Sequence, residues 1–155
     1  MPIIAFLLLC ALALLLLVGA ATDIASRIIP NRLNALIAVL AIAWWLANGF
    51  GWAAILAQIG LAAGVLLVFA LFFHLGWMGG GDVKLLAALA LWLPIEKMAG
   101  LLVWMALGGG VLTLVMLVAH RLRHAEGRPE VPYGVAIVGA ALLVMANDIL
   151  TTPVA

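Results

Sequence analysis

Two carboxylates draw attention first. Asp23 is the first charged side chain in the sequence, and Asp82 stands in "WMGGGDVKLL" (77–86), directly behind three glycines and two residues before Lys84. The whole chain holds six acidic residues, and acids at membrane depth are costly and usually functional. Two carboxylates facing one another suit a particular chemistry. The ionised one takes a proton from water while the protonated one polarises a peptide carbonyl. Like-charge proximity and partial desolvation favour one shared proton, and the titrations then belong to the pair.

Each acid also has a plain structural reading. Asp82 suits the cap of a helix beginning behind the glycines. Asp23 suits an interfacial carboxylate with Arg27, four residues on, as its partner. Three glycines exceed what a cap requires, however. They permit unusual backbone angles and allow another chain to approach closely.

The elements that position these residues must be built for lipid. Of 155 residues, 69% are hydrophobic and 8% charged, with mean hydropathy +1.38, against roughly 45–50% and about 25% in soluble domains. A soluble fold of this length cannot bury that much apolar surface. The composition predicts an all-α integral membrane protein. The net charge of +1, from scattered basic residues, gives no nucleic-acid partner. Cys10 lies alone in an apolar run and offers neither a disulfide nor a metal pair. The first run lacks a basic start, so it reads as a retained span rather than a signal peptide.

Breaks at Gly, Pro and charge predict six spans, near 3–22, 32–48, 52–74, 82–97, 99–120 and 132–150. The fourth is short for a crossing of about 30 Å. No internal repeat is evident, and residues 1–155 read as one membrane-embedded domain. Arg27, Arg32, Lys84, Arg121, Arg123 and Arg128 fall at loops one, three and five, and Lys97 alone at loops two and four. That bias predicts odd loops in the cytoplasm and both termini on the outer face. Asp23 and Asp82 then share depth and side.

With that arrangement the residues resemble the prepilin leader peptidases, membrane aspartic proteases of the GxGD type. "DIASRIIPN" (23–31) is similar to the family's first catalytic Asp with its basic residue and Ile-Pro-Asn turn. "GGGDVKLL" (79–86) places Gly79, Gly81 and Asp82 on the second motif, and "VPYGVAIVGA" (131–140) resembles the Pro-aromatic-Gly segment opening the last span. Longer members carry a cysteine-containing cytoplasmic segment and also methylate the new pilin terminus. The absence of that segment here, and Val135 in place of a second proline, point to the short peptidase-only branch associated with Flp-type (tight adherence) pili. The resemblance implies a bacterial inner-membrane endopeptidase, without cofactor or metal, that uses Asp23 and Asp82. Its implied substrate is a single-span prepilin with a cytoplasmic leader, and its implied partners are membrane lipid and the pilus assembly machinery.

Supporting candidates have two readings each. Pro30 and Asn31 stop one helix and start the next, or fix Asp23 through that turn. Lys84 neutralises the acidic site or snorkels to headgroups. Pro132, Tyr133 and Gly134 line a substrate groove, or simply start a helix with an interfacial Tyr. Arg27, Gly79 and Gly81 complete the candidate set. His74, His120 and His124 lack a third ligand and read as interfacial, and the Trp residues as belt or packing groups. Two other function classes stand beside the peptidase: a small ion-coupled transporter, and a structural subunit of a pilus or secretion complex.

Overall fold

The computed structural model describes residues 2–122 and 132–151, and among them every regular element is an α-helix. The helices are α1 (Ile3–Ser26), α2 (Asn31–Ala47), α3 (Trp52–His74), α4 (Gly80–Leu89), α5 (Ile95–Leu122) and α6 (Tyr133–Thr151). Arg123, His124, Arg128 and Val131, used above for orientation and motif reading, lie outside the described residues.

α1 runs four residues past the expected end of the first span, so Asp23 lies inside its final turn rather than in a loop. Nothing in "ATDIAS" breaks a helix, and Thr22 and Ser26 fold their hydroxyls back onto the carbonyls of Gly19 and Thr22. The helix stops where Arg27 turns left-handed at φ 57°, its N–H returning to the Asp23 carbonyl at 2.9 Å. Extended Pro30 (φ −62°, ψ 138°) then leads into α2, accepting the first free N–H groups, those of Leu33 and Asn34. A proline inside a helix would lose a bond and clash, but at this boundary it does neither.

α4 is the main correction. The expected fourth span, 82–97, is a ten-residue helix of about 15 Å at 1.5 Å per residue. Residues 90–94 follow as turns, and α5 begins directly after Pro94. By length and composition, α1, α3 and α5 are the helices long and apolar enough to cross a membrane; α2 and α6 are shorter. A helix can end inside an apolar bundle only if its freed carbonyls find donors. The Leu91 carbonyl takes the indole N–H of Trp45 at 2.8 Å and the Gln58 amide at 3.4 Å, and Trp92 donates to the Ile37 carbonyl at 2.9 Å. These two tryptophans are structural ties as well as packing groups.

α4 packs against α2, α3 and α6. α1 packs on α2 and α6, and α5 on α6. The α4 side chains Leu85, Leu86 and Leu89 are fully buried, together with Leu12, Leu16, Ile37 and Ile137 around them. The outer helices instead expose Leu67, Leu71, Val111 and Leu114, the surface expected where lipid is the solvent. With no water to expel, helices in lipid associate by close packing of small residues. Gly19 is an instance, since a Cβ there would meet Leu33 of α2 at 3.0 Å.

Candidate active site

The fold brings the end of α1 to the start of α4. Asp23 is 5% exposed and Asp82 9%. Both line one cavity of about 230 Å³, with Arg27, Ile28, Ile29 and the three glycines. They are close enough for the Asp23 charge to bear on Asp82.

Each acid is oriented by backbone. Asp82 is the third residue of α4, and its carboxylate reaches back to the Gly79 amide, one of the N–H groups that a helix start leaves without an internal partner. The capping reading and the cavity reading therefore both describe this side chain. Asp23 is held from the far end of the chain. The Val135 N–H, in the first turn of α6, donates to its Oδ2 at 3.3 Å, and the Gly134 amide also bears on it. The positive end of the α6 dipole thus faces the Asp23 carboxylate.

The glycines serve contact rather than conformation. Positive φ occurs at Gly49 and Gly76, and at none of Gly79, Gly80 or Gly81. A Cβ on Gly79 would sit 3.1 Å from Asp82 Oδ2, and one on Gly80 3.2 Å from the Phe73 ring. One on Gly81 would sit 3.1 Å from Ile29 Cβ and 3.2 Å from its carbonyl oxygen. The unusual angles expected from the triplet are absent, and the chain that approaches closely is the protein's own.

The supporting candidates divide. Arg27 lines the cavity but makes no ion pair with Asp23; the left-handed turn ends the helix there. Pro30 is the residue before α2, and Asn31, its first residue, accepts the Lys84 ammonium on Oδ1 at 2.7 Å. Lys84 is thereby drawn to α2 and does not line the aspartate cavity. Pro132 is buried where the chain enters α6. Gly134 belongs to the site, since a Cβ there would collide with Asp23. Tyr133 does not; its ring lies against Gly109 of α5.

Sequence reasoning passed over Asn34. Buried in α2, it donates its amide to the Gly81 carbonyl at 3.0 Å and so ties α2 to the glycine turn that carries Asp82. The available signal was an amide in an apolar run, three residues after Asn31 and therefore on the same helix face. A family model described as the type IV leader peptidase family matches residues 10–114, a stretch that contains both aspartates. No curated protein and no solved structure gives a significant match.

Proposed function

The chain belongs to the type IV leader peptidase family, and from that membership we propose that it is an aspartic endopeptidase whose catalytic pair is Asp23 and Asp82. The observation that carries this reading is their common cavity: two buried acids from distant parts of the chain, each held by backbone amides, line one small pocket.

In the proposed reaction, one carboxylate takes a proton from water as the water oxygen attacks the scissile carbonyl carbon. The partner carboxyl gives its proton to the carbonyl oxygen. The tetrahedral diol collapses as one of its hydroxyls returns a proton to the partner carboxylate, the C–N bond breaks, and the amine leaves with the proton first taken from water. Arg27, at the cavity wall, is suited to hold a carbonyl or carboxylate of the bound peptide.

The basic residues support one orientation. Arg27, Arg32 and Lys84 cluster at the aspartate end, whereas Lys97 pairs with Asp148 at the other, beside Pro94 and Trp44. We read that charge bias as turning the aspartate end to the cytoplasm and both termini to the outside. The substrate is then a single-span prepilin of the Flp type, its short basic leader in the cytoplasm of a bacterial cell and the cut just before its span. A helical peptide hides its carbonyls in i to i−4 bonds, so the site requires extended backbone. Glycine before the cut supplies it, and a bulky β-branched residue there should block processing.

The test is co-expression with a candidate Flp-type prepilin, scoring leader removal by mobility for the wild type and for Asp23→Asn and Asp82→Asn. Retained cleavage in either variant would remove the pair from the mechanism.

A further inference from the structure

We propose that the open groove between α2 and α3, floored by α4, is the berth for the membrane span of the protein whose leader is cut. This assignment rests on the peptidase reading above and adds a place on the enzyme for the uncut part of the substrate.

α2 and α3 pack on α4 rather than on each other, which leaves a groove of about 490 Å³. Its walls carry Ala35 and Ala38 from α2, Ala62 and Ala63 from α3, and Ala87 and Ala88 from α4. Much of the remaining exposed apolar surface is larger, as at Leu67, Trp77, Val111 and Leu114. Small side chains on three converging helices let a further helix bring its backbone close, which is what drives helix association in lipid.

A second observation identifies what the groove lacks. Asn34 lines it, is 5% exposed, and has its amide committed to the Gly81 carbonyl. Its Oδ1 is buried and has no hydrogen-bond partner among the described residues. The missing group is a donor. The first turn of a helix carries N–H groups without internal partners, whereas the phosphate and ester oxygens of a phospholipid are acceptors. A helix start therefore fits Asn34, and an acyl chain does not.

The groove and the cavity meet at one bonded pair. Asn34 and Gly81 are bonded to one another, Asn34 lining the groove and Gly81 the aspartate pocket. A span whose first turn rests at Asn34 has its preceding, extended residues beside Asp23 and Asp82. This is the order required for a cut just before the span.

Two probes separate this inference from the peptidase reading. One is a basic leader ending in Gly followed by a 20-residue Leu/Ala span; the other is the same leader and cut site without the span. In vesicles, Ala38→Leu and Ala63→Leu should lower kcat/KM for the spanning probe at least tenfold and leave the short peptide within twofold. No loss, or equal loss on both probes, overturns the groove. A wild type that cuts neither probe sinks the peptidase reading instead, and crosslinking then decides the groove. In a Cys10→Ser background, a cysteine at Ala63 should crosslink to one in the probe's span, and a cysteine at Val111 on α5 should not. Crosslinking at Val111 in preference to Ala63, or capture at Ala63 of a photoreactive phospholipid alone, overturns it too.

Discussion

A Cβ on Gly134 would stand 2.7 Å from Oδ2 of Asp23 and 2.9 Å from its Cγ. No real Cβ comes that close, so the start of α6 and the end of α1 fit together only with glycine at this position. The same approach lets the Val135 N–H reach the carboxylate. Gly134→Ala should therefore displace Asp23 while leaving the apolar core intact. We expect at least a tenfold loss of leader removal with normal membrane insertion. Near-wild-type processing by Gly134→Ala would show that the α6 contact is packing without consequence for Asp23.

Gly81 has a similar constraint on its other side. Its missing Cβ would press on the backbone of Ile29 at 3.2 Å, and a backbone cannot rotate away as a side-chain tip can. Gly81→Ala should shift the turn that carries Asp82 and reduce cleavage strongly. Gly60→Ala, where a Cβ meets nothing within 4 Å, is the matched control and should stay within twofold of wild type.

Asn34 ties the two site-bearing segments, so its loss should register in both stability and activity. Asn34→Ala removes the bond to the Gly81 carbonyl; leaving a buried group without its partner costs about 1–3 kcal/mol, here partly offset because the unpartnered Oδ1 also goes. Denaturation in detergent should show a lower midpoint, and leader removal should slow. An unchanged midpoint would mean that the tie bears no strain.

The two aspartates act as a unit in the proposed mechanism, which fixes how their variants combine. Asp23→Asn and Asp82→Asn should each abolish cleavage, and the double variant should lose little more, as is usual for such units. Asp148→Asn breaks a half-exposed pair with Lys97 at the opposite end, a pair worth at most about 1 kcal/mol. Activity close to wild type is expected there. Additive losses for Asp23 and Asp82 would indicate that they act independently.

Orientation has its own measurement. In a Cys10→Ser background, cysteines at residues 28, 78 and 126 should be shielded from an impermeant thiol reagent added outside. Those at residues 49 and 95 should react. Outside labelling at residue 78 would put the aspartates on the wrong face for a cytoplasmic leader.

Much of this protein is legible along the chain because hydropathy and helix breaking are local properties. Six apolar segments give six helices, and the third, Trp52–His74, has the bounds expected from composition. That Asp23 and Asp82 share one end of the molecule was also legible, since the first closes the first apolar run and the second opens the fourth, each with basic neighbours. The length of α4 was not. It depends on donors from Trp45 and Gln58 that reach Leu91 across the bundle, and no local pattern records them.

The contacts that shape the site belong to tertiary structure for the same reason. "GGG" announces close approach, but only packing decides that Asp82, Phe73 and Ile29 are what approach. Lys84 sits two residues from Asp82 in sequence, yet two helical steps of about 100° each turn it to the far face, where it meets Asn31. Gly134 and Val135 lie more than a hundred residues from Asp23 and meet it because α1 and α6 pack side by side. Residue type announces what a side chain can do, whereas its partner is set by helix rotation and packing, which involve the whole chain at once.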